Sequence, residues 1–353
     1  MRAVHLTYSG AGGLGSFLRD FVESDSKNKF EHIVVFYGIE PLNWELEEYC
    51  LSKSIDFYYF KRNSVVDIRS YKKVWSLIKE LKASTVFLHT YSLSPFCYFR
   101  NRKSIRLFCF EHTSSAFKGL QGKFYSVINW FITDGIIVFF RNHGVPSAFK
   151  TKTHFVQKKI NPKKFQSHVI REPNENVTFG MCSRLVDGKR FDLVFDALEI
   201  LKKAGEQRVS LRIAGDGPNA EHLKSIVKDK RLENVVKFLG QVAYTDLPEF
   251  YHELDVYIHA SEGETICYSI MEARSCGLPI IASDVAGIKE GVTEMTDGLL
   301  FNNNAEAISQ VMRKVLLDES LRQKLGDQSM AKALADYNGP SMADDVHNLV
   351  LSK

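Results

Sequence analysis

The chain has 353 residues, 44% of them hydrophobic and 25% charged, which is ample for a sizeable core and excludes a chain disordered throughout, and the length suggests two domains. Its net charge of +4 is unevenly spread: residues 1–165 hold 25 Lys and Arg against 13 Asp and Glu, so +12, and the remainder holds 21 against 29, so −8. The six cysteines (Cys50, Cys97, Cys109, Cys182, Cys267, Cys276) form no CxxC pair, so they read as thiols of a reducing cytosol and not as a disulfide framework or zinc site.

The first residues, "MRAVHLTYSGAGG", lack the long apolar core of a signal peptide. No apolar run reaches the roughly 18 residues of a membrane span, so a soluble or peripheral protein is expected. "AVHLTY" reads as a buried strand running into a glycine turn (Gly10, Gly12, Gly13, Gly15) and a helix from Phe17. The turn holds no strict GxGxxG, and no acid follows a second strand at a convincing distance, so a nicotinamide site is disfavoured. Further strands are read at "HIVVFYG", "DFYYF", "TVFLHTY", "RLFCFEH" and "GIIVFF", with helical periodicity between them, as in "SYKKVWSLIKELK". His89 ends the third of these strands and reads as structural. His112 ends the next beside Glu111, Thr113 and Ser114, and reads equally as structural or as a site residue.

The rhythm fades from about Lys150 to Asn176, a basic, polar stretch with Pro162 and Pro173, and the domain junction is placed there. Alternation resumes with "NVTFGMCSRL", "VSLRIAGDG", "VVKFLG", "DVYIHAS", "PIIASD" and "GLLF". The fold class expected is α/β: two Rossmann-like βαβ domains, residues 1–165 and 166–337, with a short helix in 338–353.

Site candidates gather in the second half. "DVYIHAS" is followed by "EGETIC", where ligands of open α/β sheets bind. A helix is predicted from near Tyr268 to Gly277, with Pro279 just beyond. Its first-turn amides and dipole suit a phosphate. Glu264 lies before this helix and Glu272 about one turn inside it, with seven residues between them. Two carboxylates there can accept hydrogen bonds from sugar hydroxyls on either side of a phosphate. The alternative is one helix-start acid and one solvated acid. Arg184 and Lys189, in "SRLVDGKR" between a strand and a helix, fit a diphosphate, or are solvated charges. "AGDGP" (Gly215, Asp216, Gly217, Pro218) reads as a tight turn, and Gly240 as a strand end that a base could approach.

Taken in order, "SRLVDGK", "IAGDGP", "FLGQV", "HASEGETICYSIMEARSCGLPIIAS" and "AGIKEG" resemble the GT-B-fold retaining glycosyltransferases of family 4 (group 1 type), most strongly from Gly180 to Phe301. The resemblance implies two Rossmann-like domains facing across a cleft, with the acceptor on the first, the nucleotide sugar on the second, and a final helix that crosses back to the first. It implies that Arg184 and Lys189 bind the diphosphate, that Glu264 contacts the donor sugar and that Glu272 contacts ribose. Backbone at Thr265, Ile266 and Cys267 would meet sugar and phosphate. Gly12 and Gly13 would lie near the diphosphate, and His112 near the reacting centre. Catalysis would rest on His112, Glu264, Arg184 and Lys189. The chain departs from the pattern at "EGETICYS", which replaces "EGFG" and adds Glu262; at Arg190, which stands where a glycine usually follows the lysine; and at the junction, where the usual "NG" is replaced by "KKINPKKF".

The function expected is therefore retaining transfer of a hexose or N-acetylhexosamine from a nucleotide diphosphate sugar, a UDP-sugar first, to a glycan acceptor in lipopolysaccharide, O-antigen or capsule synthesis. Electrostatic stabilisation of the leaving diphosphate needs no metal. The chain has no Asp-x-Asp sequence, so neither metal nor cofactor is expected. A nucleotide-sugar epimerase or hydrolase on the same fold, and a non-catalytic sugar-nucleotide binding protein, are the alternatives. A nucleic-acid binder is suggested by charge alone, without base-stacking modules. The +12 half and its basic residues Lys61, Arg62, Lys72, Lys73, Arg100, Arg102 and Lys103 suggest peripheral contact with an anionic membrane, at the cytoplasmic face of the inner membrane, and a lipid-linked acceptor.

Overall fold

The computed structural model describes residues 1–10, 12–64, 67–90, 104–113, 118–141, 143–165, 176–265 and 267–352. The chain divides into two compact units: Met1–Lys159 with Pro340–Lys353, and Ile160–Gly339.

The first unit is built on a seven-stranded sheet in the order β3-β2-β1-β4-β5-β6-β7, every pairing parallel. Its strands are β1 (Arg2–Thr7), β2 (Glu31–Gly38), β3 (Asp56–Lys61), β4 (Thr85–Leu88), β5 (Arg106–Glu111), β6 (Gly135–Val138) and β7 (Thr153–Phe155). Parallel sheets are covered on both faces, so their strands are near-continuous apolar runs. Ile33 to Tyr37 of β2 are buried without a break. The helices are α1 (Gly13–Ser24), α2 (Trp44–Ser52), α3 (Ile68–Glu80) and α4 (Leu120–Ile132). Phe17, Leu18 and Phe21 give α1 its buried face.

Strand β7 was not expected from the sequence, which places the junction from about Lys150. With three residues, β7 is too short to display a period, and only its register with Ile136–Val138 identifies it. The break between units falls after Lys159 and not after Phe165. Phe165 is fully buried against Tyr244 and Tyr251, which draws residues 160–165 into the second unit. Of the expected junction, residues 166–175 lie outside the described residues.

The second unit holds a six-stranded parallel sheet, β10-β9-β8-β11-β12-β13. The strands are β8 (Val177–Cys182), β9 (Val209–Ala214), β10 (Val236–Gly240), β11 (Val256–His259), β12 (Ile280–Ser283) and β13 (Gly298–Phe301). Between them run α5 (Phe191–Lys203), α6 (Ala220–Asp229), α7 (Leu247–His252), α8 (Tyr268–Ser275) and α9 (Ala286–Lys289). After β13 come α10 (Ala305–Leu317) and α11 (Glu319–Tyr337). Phe191, Val194, Phe195, Leu198 and Leu201 recur at helical spacing along α5 and enter one core with Phe179, Leu211 and Ile213. Burying each such side chain stabilises by about 1.5–3 kcal/mol.

The last helix, α12 (Met342–Leu351), belongs to the first unit. Met342, Ala343, Val346 and Val350 are its buried face. Asp344 pairs with Lys29 at 2.6 Å, and the Ala343 amide donates to Ser24 Oγ at 3.1 Å.

Candidate functional site

In each sheet the strand order reverses once, between β1 and β4 and between β8 and β11. Beyond the carboxyl ends of two such strands the following loops part, and a ligand can enter. In the second unit the loops that follow β8 and β11 carry Arg184, Lys189, Glu262, Glu264, Thr265 and Cys267.

Backbone contacts hold these loops in place. The Glu262 amide donates to Gly188 O at 2.8 Å, and the Leu185 amide to Asp216 O at 3.0 Å. Gly215 sits at φ 134°, and a Cβ on it would lie 2.0 Å from Ser183 O. The "AGDGP" turn is thus a buttress that only glycine lets approach this closely. On the other side a Cβ on Gly287 of α9 would lie 1.9 Å from Glu264 O. The Ser261 amide donates to Ser283 Oγ at 2.9 Å, and Asn303 Nδ2 donates to Ser261 O at 2.9 Å.

Glu264 is the electrostatic centre. Its Oε1 accepts from Lys189 Nζ and from His259 Nε2, the latter at 2.9 Å. Burial would raise the Glu264 carboxyl, but the hydrogen bond and charge of His259, and then Lys189, outweigh it and hold the group down to about 2. Burial likewise opposes the charge of His259, yet Cys267 and Glu264 lift it to about 9. Cys267 Sγ lies 3.6 Å from both ring nitrogens of His259, whose charge holds the thiol below its ordinary value against burial. The donor atoms of His259, Glu264 and Cys267 lie within 4.8 Å of one another and are a group that could hold a metal ion. A cation there would take the carboxylate oxygen to which Lys189 and His259 donate.

Cys267 is the N-cap of α8 and makes no side-chain cap hydrogen bond, and the first turn carries no acid. The helix runs from Tyr268 to Ser275, close to the span expected from the sequence. Glu272 is 3% exposed, and Tyr251 Oη donates to its Oε2 at 2.6 Å. It is neither a solvated acid nor one at the helix start. Burial and then the charge of Glu272 push the neighbouring Cys182 thiol up.

The other candidates are placed as follows. Arg184 is exposed in the loop after β8. Arg190 adopts the left-handed φ of 31° and pairs with Asp192 at 2.8 Å and Glu262 at 3.1 Å. Gly240 ends β10, and the position of a Cβ there is open. Gly12 caps α1, again with open space, and Gly13 begins the helix. His112 follows β5; burial, then the charges of Lys158 and Lys118, hold it well below its ordinary value. Ile266 lies outside the described residues. The structure therefore brings Lys189, Glu264 and Cys267 together, while Glu272 lies in the adjoining Tyr251 and Cys182 environment. Sequence reasoning missed His259 and Tyr251. "DVYIHAS" carried the signal for His259, a histidine at a strand's carboxyl end, the same signal that drew notice to His112.

Residues 162–331 match the family model described as glycosyl transferases group 1. The second unit belongs to that family. Over 262 residues the chain is 25% identical to an uncharacterized glycosyltransferase of Methanocaldococcus jannaschii, covering 68% of this chain and 66% of that protein. Over 166 residues it is 27% identical to a GDP-mannose-dependent alpha-mannosyltransferase of Corynebacterium glutamicum, covering 46% of this chain and 37% of the relative. The chain thus spans about two thirds of one relative and just over a third of the other. The crystal structure of HepE from Anabaena, in complex with UDP and glucose, matches with a TM-score of 0.83 over 100% of both chains at 17% identity. Its likeness is one of fold, and the paired α/β units are of the GT-B type. The group 1 match encloses the Lys189, Glu264 and Glu272 positions and ends short of the first unit, so the roles of Gly12, Gly13 and His112 rest on other grounds.

Proposed function

We propose that the chain is a retaining glycosyltransferase that takes a hexose or N-acetylhexosamine from a nucleotide diphosphate sugar. The observation that carries this reading is the Lys189–Glu264–His259 cluster at the β8/β11 switch point, beside the N-terminus of α8. Glu264 holds Lys189 in place. A diphosphate would compete for that ammonium, and Glu264 would turn to a sugar hydroxyl. Arg184, Lys189 and the α8 amides would stabilise charge on the departing diphosphate without a metal. Glu272, held by Tyr251, would accept from ribose hydroxyls. Thr265 and Cys267 would offer backbone to sugar and phosphate, Gly240 space for the base, and Gly12 and Gly13 a close approach. His112 would meet the reacting sugar.

UDP in HepE favours a UDP-sugar, and the GDP-mannose dependence of the Corynebacterium enzyme makes GDP the contrasting choice. A panel of UDP-, GDP- and ADP-sugars in thermal unfolding tests this. A ligand at 100 times its Kd stabilises by about 2.7 kcal/mol, so one base should stand out. No shift with any of them overturns the reading. Release of free sugar without acceptor would identify a hydrolase instead.

We further infer that the acceptor is a glycan of the lipopolysaccharide, O-antigen or capsule class, reached through contact of the first unit with the cytoplasmic face of an anionic membrane. Among the described residues no helix is long and apolar enough to cross a membrane. Yet α4 exposes Leu120 (89%), Phe124, Val127 and Phe131 (66%), spaced as one helical face. Lys123 lies within that helix, Phe131 packs on Phe149 at 5.0 Å, and Lys152 sits over the Phe149 ring. An apolar face with basic neighbours suits an anionic lipid surface. Of the basic residues singled out from the sequence, Lys61, Lys72 and Lys73 are exposed and Arg62 leans over Tyr37. Arg100, Arg102 and Lys103 lie outside the described residues.

A further inference from the structure

Four histidines form a file across one face of the first unit's sheet, and the roles given so far use only one of them. The strands β2, β1, β4 and β5 are successive neighbours. Each brings one ring: His32 in β2, His5 in β1, His89 just beyond β4 and His112 just beyond β5. The register puts them on a common face, since residues two apart point the same way. His5 pairs with Val34, two residues past His32, and with Phe87, two before His89. Phe87 in turn pairs with Phe108, four before His112. Helix α1 covers the file, with Phe21 on His5 and His32 and Phe17 on His89 and His112.

The rings touch end to end. His32 Nδ1 lies 2.9 Å from His5 Nε2, His5 Nδ1 lies 3.1 Å from His89 Nε2, and His89 Nδ1 lies 3.1 Å from His112 Nε2. Burial is the largest cause holding all four below their ordinary values, with Asp25 opposing it at His32. A neutral imidazole has one N–H and one lone pair, so a hydrogen-bonded file of them must point one way throughout. Asp25 sets the direction. Its Oδ2 lies 3.3 Å from His32 Nε2, outside hydrogen-bond alignment, but a negative oxygen there favours a proton on that nitrogen. His32 then accepts at Nδ1 from His5, His5 from His89, and His89 from His112.

We propose that Asp25, His32, His5 and His89 are positioning residues that hold His112 in its Nε2–H tautomer, with Nδ1 as an acceptor for a sugar hydroxyl. The last step rests on the reading that puts His112 at the reacting sugar. His89, structural by the sequence reading, becomes the link between His112 and the rest of the file.

The test uses the full chain labelled with nitrogen-15 in its histidines, where long-range proton–nitrogen spectra show which ring nitrogen is protonated. Wild-type His112 should be protonated on Nε2 alone; protonation on Nδ1 overturns the proposal. His5→Leu breaks the file, whereas His5→Gln can accept from His89 and donate to His32. In His5→Leu, His112 should populate both tautomers, and kcat should fall severalfold, by the fraction of His112 in the wrong tautomer, with donor KM little changed. His5→Gln should restore both. An unchanged His112 tautomer in His5→Leu also overturns the proposal. If His112→Ala transfers sugar as well as wild type, the placing of His112 at the site fails, whatever the spectra say of the file.

Discussion

At Glu264 burial and charge pull in opposite directions, and the pairing with His259 and Lys189 wins. Its carboxyl sits at about 2, below the ordinary 4.5, so its contribution to stability is present above pH 4.5 and is lost as pH falls toward 2. His259 is lifted from 6.5 to about 9, so its contribution is full below 6.5 and lost as pH rises through 9. The difference in unfolding free energy between wild type and His259→Gln should therefore shrink from pH 6.5 to pH 9 in urea titrations. A constant difference would mean that His259 carries no charge in the folded chain. Arg190 makes a second case. Its left-handed backbone costs a side-chain-bearing residue about 1–2 kcal/mol, against about 0–1 kcal/mol from exposed ion pairs. Arg190→Gly should be more stable than Arg190→Ala by about 1 kcal/mol. Equal unfolding midpoints for the two would remove the strain. For Glu272, the expected result of alanine substitution is weaker binding of the free nucleoside diphosphate by about 1.5–3 kcal/mol. Calorimetry showing wild-type affinity would refute a ribose contact.

Helices α8 and α9 and the loop after β11 act together because backbone meets backbone. The Gly287 Cβ position is 1.9 Å from Glu264 O and 2.5 Å from Thr265 O, so a methyl group there must displace the loop that carries Glu264. Gly287→Ala should weaken donor binding and destabilise by about 1–3 kcal/mol. Gly291→Ala is the control: its Cβ position is 3.5 Å from Ile288 O, an ordinary contact. Identical donor affinity for the two variants would show that the loop absorbs the methyl group. The glycine turn after β9 works in the same way, with Gly215 against Ser183 bracing the strand end from which the Lys189 loop departs.

Over the whole molecule, charge and apolar exposure are both concentrated in the first unit. Its sequence carries most of the +12, and α4 adds an apolar face that is bare of acids. Each basic residue near an anionic surface contributes about 1 kcal/mol, and the interaction fades as salt shortens the Debye length to about 3 Å at 1 M. Co-sedimentation with anionic vesicles should exceed that with neutral ones and should fall with salt. Phe124→Glu, at an exposed position, should lower it further without changing the melting temperature. Equal recovery on both vesicle types, insensitive to salt, would leave the face without a lipid partner.

The sequence by itself determined the strands other than β7, because parallel strands buried on both faces are apolar runs, and it determined α8, because Gly277 and Pro279 punctuate its end. It also singled out Lys189, Glu264 and Cys267, which follow strands where open sheets bind ligands. It could not reveal β7, whose three residues are identified only by their neighbour, or the break at Lys159, which depends on what Phe165 packs against. The partnership of Glu264 with His259 and the burial of Glu272 under Tyr251 also came from tertiary structure alone. So did the file from His32 to His112, whose members are up to 107 residues apart in "EHIVV", "AVHLTY", "FLHTY" and "FCFEH". Each is a lone histidine in or just after its own strand; only the order β2-β1-β4-β5 and the parallel register set their nitrogens within hydrogen-bond reach. Periodicity reports which face of an element is buried, while the identity of a polar partner is fixed by the packing of strands distant in sequence.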